Sequence, residues 1–306
     1  MLTTRIDTVI HTVSPGITLH CRVAGPAGAP TLLFLHGFPE GAFVWDALLA
    51  HFSQPEHGGY RCVAPWLRGF GPSSTPTDAR DYRPKHLVQD ILGIIQAESP
   101  GAPLAALVAH DWGGAVAWNL ANQFPQQLQR LAIINSPHPG TFLRELQHSA
   151  AQRKASAYMN FLVRPDAPAL LAQDDFRRLW HFFQGPDGQW PAWMDEPTRD
   201  QYRAVWGAGL QGSCNYYRAS KLRPPQGDDP GADAVTLPFD MLTVNVPTWV
   251  LWALDDIALC PGLIDGLDAY IPRLTLDTVP GASHWIIHEQ PARVIAGLQA
   301  HLLRNE

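Results

Sequence analysis

The sequence predicts an α/β fold in which a mostly parallel sheet carries a helical insert, and three patterns support this class. Short, continuously apolar runs such as 31–35 (TLLFL) are typical of strands buried on both faces of a parallel sheet. Helical patterns alternate with these runs through the first half of the chain. From residue 137 to about residue 221 the alternation gives way to a helical pattern rich in aromatic residues.

The predicted elements follow one another in a regular order. Two N-terminal segments form a hairpin around Ser14-Pro15-Gly16, and strands then alternate with helices. The strands are predicted over 8–13, 17–23, 31–35, 61–64, 104–109, 129–135, 248–252 and 274–279. The helices outside the insert are predicted over 43–51, 86–97, 114–123 and 291–303. A segment dense in Pro, Gly and Asp, 223–238, predicts a linker.

Length and composition fit one large domain with an insert. The chain has 306 residues, of which 46% are hydrophobic and 16% are charged, so it has enough apolar residues for a large core. We expect residues 1–136 and 240–306 to form the α/β core. Residues 137–239 are expected to form a helical cap with its linker, inserted after the sixth strand.

Charge and cysteine usage disfavour several functional classes. The net charge of −6, without any cluster of Lys and Arg, disfavours nucleic-acid binding. The N-terminus has no apolar signal region, and no run approaches the ~20 apolar residues of a membrane span, so we expect no membrane partner. The four cysteines lack metal-ligand spacing and fit reduced thiols, which predicts a cytoplasmic protein.

The most specific motif is the segment 109–114 (AHDWGG), which lies between a predicted strand and a Gly/Ala-rich helix. Small residues stand two positions before and after Asp111, as a tight strand-to-helix turn requires when it presents a nucleophile. The helix N-terminus that follows favours a carboxylate at this position. Because a carboxylate is already ionised at neutral pH, it suits displacement at an sp³ carbon to give an alkyl ester. The alternative is that Asp111 only caps the helix.

A second motif, HGFP at residues 36–39, follows directly on the strand 31–35. A loop at this place completes the oxyanion hole in enzymes that carry a nucleophile elbow. We expect the backbone N–H groups of Phe38 and Trp112 to converge on an oxygen of the Asp111 acyl carbon when the ester is hydrolysed.

The general base is expected in the segment 281–285 (GASHW), after the last strand and before the final helix. His284 stands there, where the chain order nucleophile, acid, histidine puts the base. Among the 13 histidines, His138 and His288 are its nearest competitors.

The acid that orients this histidine is expected just after the strand 248–252. Asp256 is preferred and Asp255 is the alternative, because a few residues are needed before the carboxylate turns towards the histidine. A third place, after the strand 129–135, carries Asn135, whose amide does not hold the charge of an imidazolium.

With these motifs the chain resembles an α/β-hydrolase-fold epoxide hydrolase over nearly its whole length. The resemblance is carried by HGFP (36–39), RGFG (68–71), HDWGG (110–114), NSPHP (135–139) and GASHW (281–285). It implies the α/β-hydrolase fold and two acidic cap tyrosines. Tyr217 matches the family's Asn-aromatic-Tyr-Arg signature, and Tyr158 matches the shorter first signature. The resemblance also implies a cis Phe38–Pro39 bond.

The resemblance further implies a function. The two phenols would protonate the epoxide oxygen as Asp111 attacks, and a water activated by His284 would release a vicinal diol. We expect an apolar epoxide and water as substrates, no metal or organic cofactor, and a monomer or homodimer. The aromatic-rich cap favours the apolar substrate. The remaining site residues are Phe38, Trp112 and Trp285 for substrate binding, and His36, Gly37 and Pro39 for the structure of the loop.

Three other functions fit the sequence less well. A haloalkane dehalogenase shares the aspartate nucleophile but commonly has a second halide donor at the position of Phe38, whose side chain donates nothing. A fluoroacetate-type dehalogenase would need an arginine at the position of Trp112. A non-catalytic ligand-binding protein has no need of the complete set Asp111, Asp256 and His284.

Overall fold

An eight-stranded, mostly parallel sheet forms the centre of the computed structural model, which describes residues 5–185 and 188–304. The strand order is β1-β2-β4-β3-β5-β6-β7-β8, and only β1–β2 and β2–β4 pair in an antiparallel manner. The strands are β1 (Asp7–Ser14), β2 (Ile17–Ala24), β3 (Thr31–Leu35), β4 (Arg61–Pro65), β5 (Ala106–His110), β6 (Leu131–Ile134), β7 (Thr248–Ala253) and β8 (Leu274–Val279). The predicted α/β class is confirmed.

The four inner strands β3, β5, β6 and β7 are buried along their whole length. Their continuous apolar runs are therefore explained by helices that cover both faces of the sheet. The predicted strand over 104–109 begins two residues later than expected, because Leu104 makes only an isolated parallel bridge to Leu128.

Helices α1 to α3 and α12 belong to the part of the chain that also forms the sheet. Their bounds are α1 (Asp46–Phe52), α2 (Pro84–Glu98), α3 (Asp111–Gln123) and α12 (Pro291–Leu302). A short 3-10 turn, Ala42–Trp45, precedes α1, so the helix predicted over 43–51 is two elements. The short helix α11 (Ile286–Glu289) leads into α12.

The described chain between β6 and β7 contains helices and no strand. The helices are α4 (Pro139–His148), α5 (Ala150–Ala155), α6 (Tyr158–Leu162), α7 (Ala167–Leu171), α8 (Gln173–Trp180), α9 (Glu196–Gly207) and α10 (Gln211–Ala219). Three residues inside α8, Asp174–Phe176, have φ between 50° and 59°, a left-handed turn that the sequence pattern did not predict.

This helical segment packs on loops at the carboxyl edge of the sheet through buried hydrogen bonds. The indole of Trp206 donates to the carbonyl of Pro39 at 2.6 Å, and the phenol of Tyr216 donates to the carbonyl of Arg68 at 2.8 Å. Large aromatic side chains therefore fill the boundary between the segment and the sheet, with polar tips that find partners there. No helix of the described residues is long and apolar enough to span a bilayer.

Candidate active site

The carboxyl ends of the inner strands bring three loops together. Leu35 of β3 pairs with Ala109 of β5, and Ile134 of β6 pairs with both His110 of β5 and Leu251 of β7. The loops that follow β3, β5 and β7 therefore begin at the same edge of the sheet, where open α/β sheets bind their ligands.

Asp111 lies at the sharp turn between β5 and α3. Its φ is 47°, in the left-handed region that costs a non-glycine residue energy, so packing must hold it there. The hydroxyl of Ser136 donates to the Asp111 carbonyl at 2.7 Å. Gly113 is required on the other side, because a Cβ there would overlap the carbonyl of Leu35. The strained turn presents the carboxylate to the cavity above the sheet.

The HGFP loop after β3 holds a backbone donor against this carboxylate. The N–H of Phe38 donates to Asp111 Oδ1 at 2.6 Å. A side chain at Gly37 would overlap the same carboxylate, so only glycine fits. The Phe38–Pro39 peptide bond is cis, which confirms the expectation.

His36 links this loop to the loop after β4. Its Nδ1 lies 3.0 Å from the carbonyl of Gly37, and its Nε2 accepts from the N–H of Leu67 at 3.1 Å. Burial lowers the pKa of His36 to about 4, so the ring is neutral and has one donor and one acceptor nitrogen. The donor nitrogen serves the carbonyl of Gly37 and the acceptor nitrogen serves the N–H of Leu67. The ring thus fixes the distance between the two loops.

His284 and Asp256 form a buried pair beside Asp111. The Nδ1 of His284 lies 2.6 Å from Asp256 Oδ2, and its Nε2 lies 3.8 Å from Asp111 Oδ2. Asn135 donates to the same Asp256 Oδ2 at 2.8 Å, and the N–H groups of Ala258 and Leu259 donate to Oδ1 at 2.8 and 3.0 Å. The carboxylate is thus fully hydrogen-bonded, as its burial requires.

His284 and Asp256 each shift the pKa of the other. Burial alone would lower the pKa of His284, but the charge and hydrogen bond of Asp256, followed by the charge of Asp111, raise it to about 9. Burial would raise the pKa of Asp256, whereas His284 and Asn135 lower it below its ordinary value. Asp256 is therefore an anion and His284 a cation at neutral pH while Asp111 is charged.

The competing residues lie elsewhere. Asp255 is exposed, and its N–H donates to the carbonyl of Ala282. His138 is buried, with its Nε2 2.9 Å from the carbonyl of Leu242. His288 contacts a different carboxylate, that of Glu40. Of the candidates that the sequence left open, Asp256 and His284 are the two that pair with each other, and His284 lies next to Asp111.

Tyr158 and Tyr217 come from α6 and α10 and lie over the carboxylate. Their ring centroids are 6.1 Å apart at 76°, and both side chains line the same cavity as Asp111. Burial, followed for Tyr158 by the charge of Asp111, raises the pKa of this phenol far above its ordinary value. Burial and the neighbouring charges raise the pKa of Tyr217 likewise. Both phenols therefore keep their protons at neutral pH and serve as hydrogen-bond donors.

The cavity has a volume of about 260 Å³ and walls that are mainly apolar. Phe38, Phe182 and Trp285 line it, and the Trp285 indole donates to the carbonyl of Phe182 at 3.0 Å. Trp112 lies beyond the phenols. Its ring and that of Tyr217 are nearly perpendicular, with their centroids 5.1 Å apart. The space is bordered mainly by apolar side chains and includes the Asp111 carboxylate in its wall.

Sequence reasoning missed a second buried carboxylate, Glu40, next to the HGFP loop. The phenol of Tyr202 donates to Glu40 Oε1 at 2.7 Å, and His288 Nε2 lies 2.9 Å from the same oxygen. Nδ1 of His110 lies 3.2 Å from Oε2, while its Nε2 contacts the carbonyl of His284 at 3.0 Å. Burial would raise the pKa of Glu40, but its two histidine partners hold it far below the ordinary value. One signal was available: an acidic residue directly after HGFP, in an otherwise apolar stretch.

Within 5–185 and 188–304, no group of three or more His, Cys, Asp or Glu has an arrangement that could hold a metal ion. The carboxylate of Asp111 accepts a hydrogen bond from the N–H of Phe38. The carboxylate of Asp256 contacts the amide of Asn135 and the imidazole of His284.

A carboxylate at the turn after the central strand, followed in the chain by a second carboxylate and by a histidine that lies between the two, is the arrangement of the α/β hydrolase class. The family model described as the alpha/beta hydrolase fold matches residues 30–291, and the chain belongs to this family.

Two relatives match nearly the whole chain, and the second has a more specific name than the family. An AB hydrolase superfamily protein of Bacillus subtilis is 32% identical, over 95% of this chain and 96% of its own. Epoxide hydrolase 4 of Mus musculus is 30% identical, over 95% of this chain and 77% of its own.

Solved structures agree with these relatives. Bacillus megaterium epoxide hydrolase in complex with an inhibitor has a TM-score of 0.84 at 27% identity, over 97% of this chain and 100% of its own. A structure of novel epoxide hydrolases from metagenomes of hot environments has a TM-score of 0.84 at 34% identity, over 98% of this chain and 100% of its own. The resemblance to α/β-hydrolase-fold epoxide hydrolases that the motifs indicate is confirmed.

Proposed function

We propose that this protein is an epoxide hydrolase that converts an apolar epoxide into a vicinal diol through an ester on Asp111. One observation carries the proposal: the phenols of Tyr158 and Tyr217 line the same apolar cavity as the carboxylate. Opening an epoxide expels an alkoxide, which is a poor leaving group unless an acid protonates it. The names of the relatives support the same reaction.

In the first step, a carboxylate oxygen of Asp111 attacks one epoxide carbon and the bond from that carbon to the epoxide oxygen breaks. The oxygen takes a proton from the phenol pair, whose raised pKa values keep both groups protonated until a strong base forms beside them. The product is a monoester of the diol on Asp111.

Once the ester has removed the charge of Asp111, His284 gives up its proton and the phenol pair is reprotonated. In the second step, the neutral His284 takes a proton from a water molecule, and the resulting hydroxide attacks the acyl carbon of the ester. Asp256 orients the ring through Nδ1, which leaves Nε2 directed at Asp111. The N–H of Phe38 already contacts a carboxylate oxygen, so it would stabilise the oxyanion, and we assign the N–H of Trp112 as its partner. Collapse of the oxyanion breaks the bond to the diol oxygen, which takes the proton of the newly formed carboxyl group, so the diol leaves and Asp111 is a carboxylate again.

We also propose that residues 137–239 act as a cap and linker over a core of residues 1–136 and 240–306. The cap supplies Tyr158, Phe182 and Tyr217 to the cavity, and the core supplies Asp111 and His284. This division explains why the acids and the nucleophile lie on opposite walls. The dehalogenase alternative is weaker, because an alkyl halide needs no proton and Phe38 offers no side-chain donor for a halide.

Trapping the ester tests the proposal. His284→Gln removes the base but keeps the nucleophile, so the first step should greatly outpace the second. After mixing with styrene oxide and an acid quench, intact-mass spectrometry should show one added substrate mass, and peptide mapping should locate it on Asp111.

The matched control is the double variant Asp111→Asn with His284→Gln, which should gain no mass. An adduct on another residue would overturn the assignment of the nucleophile. Wild-type enzyme that forms no diol from styrene oxide or from aliphatic epoxides would overturn the proposed function itself.

A further inference from the structure

The buried amide of Gln152 links α5 to the loop after β7 that carries Asp256. Gln152 is 0% exposed, and a primary amide offers two N–H donors and one carbonyl acceptor. Its Nε2 donates to Ser156 Oγ and to the carbonyl of Ala258, each at 2.8 Å. Its Oε1 accepts from the N–H of Cys260 at 2.9 Å. The amide thus joins the helical segment to the loop of the acid.

One peptide group connects this amide to the Asp256 carboxylate. The carbonyl of Ala258 accepts from Gln152, and the N–H of Leu259, on the same peptide group, donates to Asp256 Oδ1 at 3.0 Å. Because a trans peptide is planar, with its C=O and N–H pointing in opposite directions, a donor held on the carbonyl fixes where the N–H points. The same donor polarises the peptide and strengthens the hydrogen bond at its other end. Gln152 therefore acts on the carboxylate that contacts His284.

Side chains, and not a regular element, hold the loop in this shape. Residues 256–260 form neither a helix nor a strand, and Ile257 is 68% exposed, so apolar packing does not hold the loop at that point. The three backbone N–H groups that follow Ile257 donate to the side chains of Asp256 and Gln152. The loop is thus fixed from inside by the carboxylate and from the helical segment by the amide.

We infer that Gln152 is a positioning residue for ester hydrolysis, because it holds the peptide group that keeps Asp256 aligned with His284. The inference rests on the proposed function, since it concerns the second of the two proposed steps. Without the amide, this peptide group is free to turn, and the carboxylate loses a fixed donor. The imidazole of His284 is then oriented less well and takes the proton of water more slowly. The attack of Asp111 on the epoxide does not use this base and is affected much less.

Three variants separate the loop contacts of the amide from its helix contact. Gln152→Met keeps an unbranched side chain of similar length but makes none of the three hydrogen bonds. Gln152→Leu removes the same hydrogen bonds with a branched side chain, so a result that both variants share does not come from side-chain shape. Ser156→Ala is the matched control, since it removes only the contact inside the helical segment and leaves both contacts with the loop.

The assay is a single turnover with styrene oxide, quenched in acid at successive times and followed by intact-mass spectrometry. The ester forms at the rate of the first step and decays at the rate of the second. In Gln152→Met and Gln152→Leu the ester should decay about tenfold more slowly than in wild type, because losing a hydrogen bond to a charged group costs about a factor of ten. Ester formation should stay close to the wild-type rate, which also shows that the variants are folded. Ser156→Ala should keep both rates.

The possible results separate the inference from the proposed function. If the ester decays at the wild-type rate in both Gln152 variants, or if Ser156→Ala slows the decay as much as they do, the inference is wrong and the proposed function stands. If formation and decay slow by the same factor in both Gln152 variants, the amide is only structural, and the inference is again wrong. Wild-type enzyme that forms neither ester nor diol overturns the proposed function, and the inference fails with it.

Discussion

The charge on His284 predicts a specific dependence of stability on pH. The folded protein holds this imidazole between Asp256 and Asp111, and its pKa is raised from 6.5 to about 9. A histidine with a raised pKa stabilises the folded state through its protonated form. The stabilisation is complete below pH 6.5, where the unfolded chain is also protonated, and is lost as the pH rises to 9.

The size of the effect follows from the same shift. One pKa unit corresponds to about 1.4 kcal/mol, so the raised pKa contributes about 3 kcal/mol to the free energy of unfolding. The side chain is 8% exposed, so solvent screening reduces this little. His284→Gln removes the titration, and Asp256→Asn removes the largest favourable cause of the shift. Both variants should therefore lose the part of the pH dependence of the free energy of unfolding that His284 causes in the wild type.

The assay is urea unfolding of wild type and variants at several values between pH 6.5 and 9. The free energy of unfolding of the wild type should fall by about 3 kcal/mol more than that of His284→Gln across this window. His138→Gln is the control, because burial lowers the pKa of His138 to about 4, outside the window. His138→Gln should change the free energy of unfolding by the same amount at every pH in the window, so the pH dependence should match that of the wild type. If the free energies of unfolding of wild type and His284→Gln depend on pH equally, His284 is not positively charged in the folded protein and the reasoning is refuted.

Four further results are expected. Replacing both Tyr158 and Tyr217 with phenylalanine should lower kcat/KM for epoxide opening by roughly 10³-fold with circular dichroism unchanged, and most of the activity remaining would argue against the phenols as acids. Gly37→Ala should abolish activity, since its methyl overlaps the Asp111 carboxylate; a fully active, stable variant would contradict the observed packing. Glu40→Gln leaves the buried His110 and the partly buried His288 without their carboxylate and should cost about 3 kcal/mol in urea unfolding, with an unchanged midpoint as the opposing result. A single turnover in heavy-oxygen water should give unlabelled diol and labelled Asp111, whereas labelled diol would mean direct attack by water.

Local patterns were enough to predict most of the sheet. The strand 31–35 was predicted to the residue, because a short run of Leu and Phe that follows Pro30 and Thr31 and ends before Gly37 is typical of a buried strand. The turn at Asp174–Phe176 could not be predicted in this way. Its polar sequence also fits a helix, and the contact that holds it, from Trp180 Nε1 to the carbonyl of Asp175, is seen only in the folded chain.

The residues of the site likewise fall into those that local patterns predict and those whose role depends on distant partners. Asp111 and His284 stand inside motifs whose spacing matches a known chemistry, so sequence alone nominated them. Glu40 was missed because its importance depends on partners 162 and 248 positions away, Tyr202 and His288. The preference for Asp256 over Asp255 rested on an estimate of loop length, and the structure supplies the reason: the buried residue is the one that reaches His284.

In the proposed mechanism, the charge coupling of the site bears on how one histidine serves both steps. While Asp111 is a carboxylate, it helps to keep His284 protonated, and an imidazolium is no base. Forming the ester would remove the negative charge of Asp111 and lower the pKa of His284, although the larger contribution of Asp256 would remain. A proton that the imidazolium then gives up would restore the phenol that donates to the epoxide oxygen. The first step would thus favour the neutral form of His284 that the second step needs.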